Sequence, residues 1–398
     1  MTWPRVPTRR LFRVVNGGTP TSDPRNWEGH IKWATPIDLA LVNGGLIEGT
    51  QRTITPIGLT SGSRSVPEKS LILSTRAPIG YIAETVTQTA FNQGCRGLVP
   101  QVKVDTRYFR YQYGVIADQL GAQGLGATFM ELSSESLAAS KVSAPSLSTQ
   151  RAIADFLDVE TAGIEALIAK KRLMLQLLIE RSAGIVEWKV RELVKRHGEQ
   201  RLKTAVRDVT VGIVVTPSVW YADHGVPAIR GLNVRPYKID LSDLVKLSAE
   251  GHRIHAKSRL HAGDVVVVRT GQAGAAAVVP SELDDTNCID LLIVRPAPLD
   301  ARFLVYVLNS DWTRKHISKY SVGTIQSHFN VSALAELPIP VPPLDEQRQF
   351  VVDIVTQLAK LEAVQAKLRN QLELLQEHRQ ALITAAVTGE MDVPGVST

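Results

Sequence analysis

The chain has 398 residues, is 44% hydrophobic and carries a formal net charge of +6. That is enough for two or three domains with real cores, and too apolar for a chain that is mainly disordered. No run of eighteen apolar residues points to a membrane span, and the basic start MTWPRVPTRR lacks the apolar stretch of a secretory signal. Cys95 and Cys288 stand far apart with no Cys-x-x-Cys, which argues against a disulfide framework and fits a reducing cytoplasm. The positive excess is unevenly placed. Residues 1–147 hold 15 Lys+Arg against 10 Asp+Glu, residues 201–343 hold 16 against 13, and the tail from 344 holds 5 against 8. Two basic segments suit a polyanion partner or ordinary surface solubility equally well.

In chain order, a Thr-Pro turn comes first, GGTP at 17–20, then a strand-like IKWATP at 31–36. SLILSTR (70–76) is an apolar strand ending on Arg76. FNQGCRGLVP (91–100) and an aromatic helix start, YFRYQY (108–113), follow. A glycine-led loop, GATFM (126–130), precedes a final strand and the phrase PSLSTQR (145–151). Ser148 is the expected N-cap of a helix that meets no proline until Pro217. Along it Leu157, Thr161, Ile164, Ile168, Lys171, Leu175, Leu178, Ser182 and Ile185 alternate by four and three, the period of a coiled-coil seam.

The chain then repeats itself. VVTP (214–217), PAIRG (227–231), GDVVVVR (263–269), TNCIDLLIVRP (286–296), FLVYVL (303–308) and GTIQS (323–327) recur in the same order. PPLDEQR (342–348) answers PSLSTQR at a shift of 197, with Asp345 as the expected N-cap. The second seam runs Ile354, Leu358, Leu361, Gln365, Leu368, Leu372, Leu375, Arg379, Leu382. Some 40 helical residues span roughly 60 Å. Neither stripe can stay in water alone, so each is expected to pack antiparallel on the other. The fold class expected is α+β: two similar mixed α/β domains separated by a long antiparallel two-helix coiled coil, with a pseudo-two-fold internal repeat. The expected boundaries are 1–147 and 201–343 for the heads, and 148–200 and 344–398 for the helical arms. Two like heads on a rod suit paired half-sites on a duplex, one helical turn of about 34 Å apart; a scaffold between two proteins would have the same shape.

Catalytic signatures are absent. There is no phosphate loop, no His-Glu-x-x-His, no Gly-x-Ser-x-Gly, and no Asn-Pro-Pro-Tyr/Phe. GAQGLG (121–126) has the wrong spacing for a nucleotide loop and reads as a mobile loop. His252, His255 and His261 lack the cysteine or acid that would complete a zinc set and read as solvated loop residues. No metal site is expected. Polar side chains at strand ends and loops are better suited to reading bases and holding phosphates. In the first head these are Thr19, Ser22, Lys32, Thr35, Arg76, Asn92, Gln93 and Arg96. In the second they are Thr216, Arg230, Asn233, Arg235, Arg269, Gln272, Asn287, Gln326 and His328. Trp33 and Tyr81 read as core.

VPPLDEQR (341–348), the heptads after it and the closing TGEM (388–391) resemble the specificity subunit of type I restriction–modification systems, over nearly the whole chain. The central copy departs from the phrase at Ser146 and Thr149. The resemblance implies a non-catalytic, cytoplasmic subunit that binds double-stranded DNA and no membrane. Each target recognition domain would read one half of a split site, and the helical regions would set the gap. It implies two methyltransferase (modification) subunits and one or two restriction subunits as partners. No cofactor is implied for this chain; S-adenosylmethionine, ATP and magnesium belong to those partners.

Overall fold

A computed structural model describes residues 3–123, 131–320 and 329–396, with backbone alone over 318–320. By its packing the chain divides into two compact units, residues 1–171 with 370–398, and residues 172–369.

The first unit is built on two sheets. One has five strands in the order Phe12–Asn16, Cys95–Pro100, Leu71–Ser74, Ile82–Thr85, Leu46–Ile47. The other has four, Arg52–Ile54, Trp27–Ala34, Thr89–Phe91, Arg64–Val66. Trp27–Ala34 and Thr89–Phe91 run parallel, with Trp33 opposite Ala90. The short strand Arg5–Pro7 pairs with Lys141–Ser143, so the head closes its beginning onto its end just before the proline phrase. Gly17 sits where a Cβ would lie 1.8 Å from the Asn92 carbonyl oxygen, a contact only glycine tolerates.

The second unit uses the same plan. Its sheets run Val206–Val211, Leu291–Pro298, Val265–Val268, Ala276–Val278 and Val245–Leu247, Tyr221–Ile229, Thr286–Cys288, Arg259–Leu260. The parallel pair recurs, with Ala228 opposite Asn287, and Gln200–Arg201 closes on Pro338–Ile339. Gly212 stands in the place of Gly17, its absent Cβ 2.4 Å from the Cys288 carbonyl oxygen. VVVV (265–268) is buried on both faces, which explains an apolar run with no alternation.

Each head's core is completed by both long helices, Leu147–His197 and Leu344–Thr388. In the first unit Phe12, Leu73, Tyr108 and Tyr113 pack with Ile153, Leu157, Ile383 and Val387. In the second, Val267, Leu292, Phe303 and Val307 pack with Val186, Val190, Phe350 and Ile354. Within each unit the helices run antiparallel. Glu165 faces Arg379 at 2.9 Å and Lys171 reaches Gln371 at 2.7 Å in the first. In the second, Ser182 accepts from Gln365 at 3.2 Å, and Lys189 meets Asp353 at 3.0 Å.

Burial along the helices follows the four-and-three spacing. Leu157, Thr161, Ile168, Ile354, Gln365 and Leu368 are buried, while Ile164, Leu175, Leu178, Leu358, Leu361, Leu372 and Leu375 are half-buried. The helix starts differ from the expectation by two residues. Ser146, not Ser148, caps the first helix, its hydroxyl accepting from the Thr149 amide at 3.2 Å. Asp345 lies inside the first turn of the second, whose Glu346 and Gln347 amides bond the Pro343 carbonyl. The Asp345 carboxylate still favours that positive helix end.

Candidate nucleic-acid interface

In the first head, hydrogen bonds gather part of the candidate set into one group. The Thr19 hydroxyl donates to Gln93, whose carbonyl accepts from Arg96 at 2.8 Å. Arg96 and Arg76 share Glu131, at 3.0 and 3.1 Å. Arg96 is nearly enclosed, also donating to Ser134 at 2.7 Å, and holds this loop group together from within. Arg76, Thr19, Gln93 and Ser22 are exposed and form the face a duplex could meet. Arg76 is half-exposed and Glu131 about a third, so this ion pair holds the arginine only weakly.

Three candidates in this head serve the fold instead. Thr35 caps the helix Pro36–Leu41 in a capping box with Asp38. The Asn92 side chain accepts from the Gly94 amide at 3.0 Å and shapes the turn. Lys32 is half-buried, with its ammonium 3.2 Å from the Ile47 carbonyl. Trp33 is core, as read, and Tyr81 is half-buried against a core cluster.

In the second head the exposed candidates are Thr216, Arg235 and Gln272. Arg235 and Gln272 line one concavity with Arg314. Arg314 had no motif to announce it; only a basic residue on a short helix, Asp311–Tyr320, could have suggested it. Arg269 pairs with Asp290 at 2.7 Å, and Arg230 with Asp243 at 3.0 Å. Asn233 and Asn287 are a correction. Both are buried, at 1% and 0% exposure, so neither amide can reach a base edge. Asn233 donates to the Asp243 carbonyl at 2.9 Å, and Asn287 bonds Ser258 at 2.7 Å and the His252 ring at 2.5 Å. Gln326 and His328 lie outside the described residues, as do the loops at 126–130 and 323–327 and part of 121–126.

The histidines need a second correction. His252 is held by Asn287, and His255 stacks edge-on against Trp220 at 5.7 Å between centroids; only His261 is solvated. Among the described residues, no group of three His, Cys, Asp or Glu side chains could hold a metal ion. Burial pushes the Cys95 thiol up to about 12 and raises Cys288 as well, so neither is a thiolate nucleophile. No helix among the described residues is long and apolar enough to cross a membrane.

If Arg235 and Gln272 face DNA, Arg235→Ala with Gln272→Ala lowers duplex affinity, each change costing about 1–3 kcal/mol where a base edge is gripped bidentately. A titration of the reconstituted complex checks this; Asn287→Ala, by contrast, lowers thermal stability.

One α/β reading module used twice, each copy seated on the same two helices, defines a two-headed recognition protein. The model of the type I restriction modification DNA specificity domain matches residues 2–174 and 260–374, and the chain belongs to that family. It is a specificity subunit, whose role is sequence recognition and not catalysis. The type I restriction enzyme MjaIX specificity subunit of Methanocaldococcus jannaschii is 23% identical over 98% of this chain and 94% of its own length. The EcoBI specificity subunit of Escherichia coli is 21% identical over 75% of this chain and 68% of its own. A solved chain from a study of complex assembly and conformational transition in the type I R-M system shares the fold at a TM-score of 0.72. It is 17% identical, with 98% of each chain covered. The HsdS subunit from Thermoanaerobacter tengcongensis does so at 0.53 and 18% identity, covering 98% of this chain and 97% of that one.

Proposed function

We propose that the head in residues 1–147 reads one half of a bipartite duplex site and the head in 201–343 the other, while the helical segments 148–200 and 344–398 set the spacer. One observation carries this reading: the two heads share the order of eight strands, to which the first adds Leu46–Ile47 at one edge, and a tightly packed glycine at the same place, yet present different polar side chains at their exposed strand ends. One fold with two surfaces reads two sequences. The continuity of the long helices, 51 and 45 residues, supports their role in spacing.

The helices also dock two copies of a methyltransferase subunit. Support comes from exposed residues that repeat at the shift of 197 although no seam requires them. Leu167 and Val364 are 42% and 40% exposed, Leu177 and Leu374 55% and 54%. Arg151 and Arg348, and Lys170 and Lys367, are exposed in both copies too. Solvent alone does not call for apolar residues at the same two positions in both copies; two copies of one partner do. S-adenosylmethionine would sit in those methyltransferase subunits, and ATP and magnesium in one or two restriction subunits, all in the cytoplasm.

The test is sequencing of methylated adenines in cells carrying this chain and its methyltransferase subunit. A split sequence with one fixed gap is expected; a continuous motif overturns the two-headed reading. Binding of the purified complex to its site falls steeply as salt rises, because phosphate contacts release counterions. Flat salt dependence would favour a protein scaffold. Replacing Leu177 and Leu374 by Ser leaves the fold intact and abolishes co-purification of the methyltransferase subunit; undiminished co-purification places docking elsewhere.

A further inference from the structure

The repeated phrase contains a glutamine whose surroundings are the same in both units. Gln150 and Gln347 are 4% and 3% exposed. Gln150 donates from Nε2 to the Pro145 carbonyl at 2.8 Å, and its Oε1 accepts from the Asp105 amide at 3.0 Å. Gln347 donates to the Pro342 carbonyl at 2.8 Å and accepts from the Asp300 amide at 2.9 Å. The two aspartates are the N-caps of equivalent head helices, Thr106–Val115 and Ala301–Asn309. Their carboxylates close those helices from within, accepting from Arg107 at 3.0 Å and from Arg302 at 2.9 Å.

Each amide therefore joins three things: the proline turn leaving the head, the first turn of the long helix, and the N-terminus of the helix at the head's core. A cap residue's own amide has no partner in its helix, and here the glutamine supplies one. The contact is buried, so breaking it leaves an amide and a carbonyl with no water to satisfy them. No smaller or charged side chain makes both bonds at once. The phrase keeps Pro and Gln in both copies, as it keeps Leu147 with Leu344 and Arg151 with Arg348, while its three other positions drift: Ser146 against Pro343, Ser148 against Asp345 and Thr149 against Glu346.

We propose that Gln150 and Gln347 are positioning residues that fix the angle between each reading head and the helix it launches, and thereby the number of base pairs tolerated between half-sites. The inference rests on the bipartite reading above. Neither glutamine touches DNA in this scheme; each acts by denying its head a rocking motion about the proline turn.

The experiment uses the full chain in complex with its methyltransferase subunit and a pool of randomised duplex DNA, read by sequencing of methylated adenines. Gln150→Met and Gln347→Met keep the volume and remove both hydrogen bonds; Gln150→Ala and Gln347→Ala are the harsher pair. In the wild type one gap is expected to dominate. Each Met variant is expected to keep both half-site sequences and to lower discrimination against gaps one base pair longer or shorter by about tenfold, the double variant lowering it further. A variant too unstable to assemble is assayed below its melting point, where the same relaxed gap is expected. If the Met variants lose stability yet hold the wild-type gap, the glutamines are structural only and the proposal fails. If the wild-type complex shows no bipartite site, the functional reading fails first and takes this one with it.

Discussion

Exchanging residues 1–147 for the equivalent head of another family member changes one half of the methylated sequence and leaves the other half as it was. Each head has its own pair of sheets and closes its core on the long helices. The incoming head must meet fixed partners on the long helices, among them Ile153, Leu157 and Asp158 on the first and Ile383 and Val387 on the second. It must also bring an aspartate cap in the place of Asp105 to engage Gln150. A mismatch costs about 1–3 kcal/mol per base pair, so three altered positions move discrimination at that half-site by at least about a hundredfold. Mapping methylated adenines before and after exchange measures it. A change in both halves would show that the heads do not read independently.

How much of this was legible in the sequence depends on the range over which each feature is determined. The repeat was legible because its signs are local: the Pro and Gln of the phrase make bonds within five residues, and the seams follow a period that any helix must show. The order of strands was legible, whereas the sheet order was not. Cys95–Pro100 lies between Phe12–Asn16 and Leu71–Ser74, pairings made at long range that no nearby residue announces. Site residues divided in the same way. Arg76 and Gln272 stand exposed beside turns, and Arg235 ends a short strand at the turn of a two-stranded hairpin. Asn287 carries the same chemistry, but the parallel pairing with Tyr221–Ile229 carries its amide inward, where Ser258 and His252 use it up. The cap is ambiguous in the sequence for a simpler reason: Ser146 and Ser148 stand two residues apart, and only the backbone chooses between them.

The two junctions between head and arm also differ in a way the repeat conceals, and the larger stability effect follows from it. In the first unit Arg110 lies 9% exposed between Glu84 at 3.7 Å and Asp158 at 3.2 Å. Asp158 also receives Arg107 at 3.0 Å and the Tyr111 hydroxyl at 2.7 Å. In the second unit Val305 and Val355 stand in the places of Arg110 and Asp158, and Phe350 packs edge-on against Phe303 at 5.2 Å instead. Evidently the fold does not need charge at this junction, but once charge is buried its partners cannot be removed singly. Arg110→Met leaves Glu84 enclosed without a counter-charge, which costs about 3–5 kcal/mol. In a unit of this size that lowers the melting temperature by roughly 10 °C, read by calorimetry. Adding Glu84→Gln keeps an acceptor for the Thr106 hydroxyl, which bonds Glu84 at 2.8 Å, and removes the stranded charge. The double variant therefore regains part of the loss, a coupling of about 2 kcal/mol in the mutant cycle. Were Arg110→Met and the double variant equally unstable, packing of the arginine stem, and not its charge, would be what holds the first head to its arm.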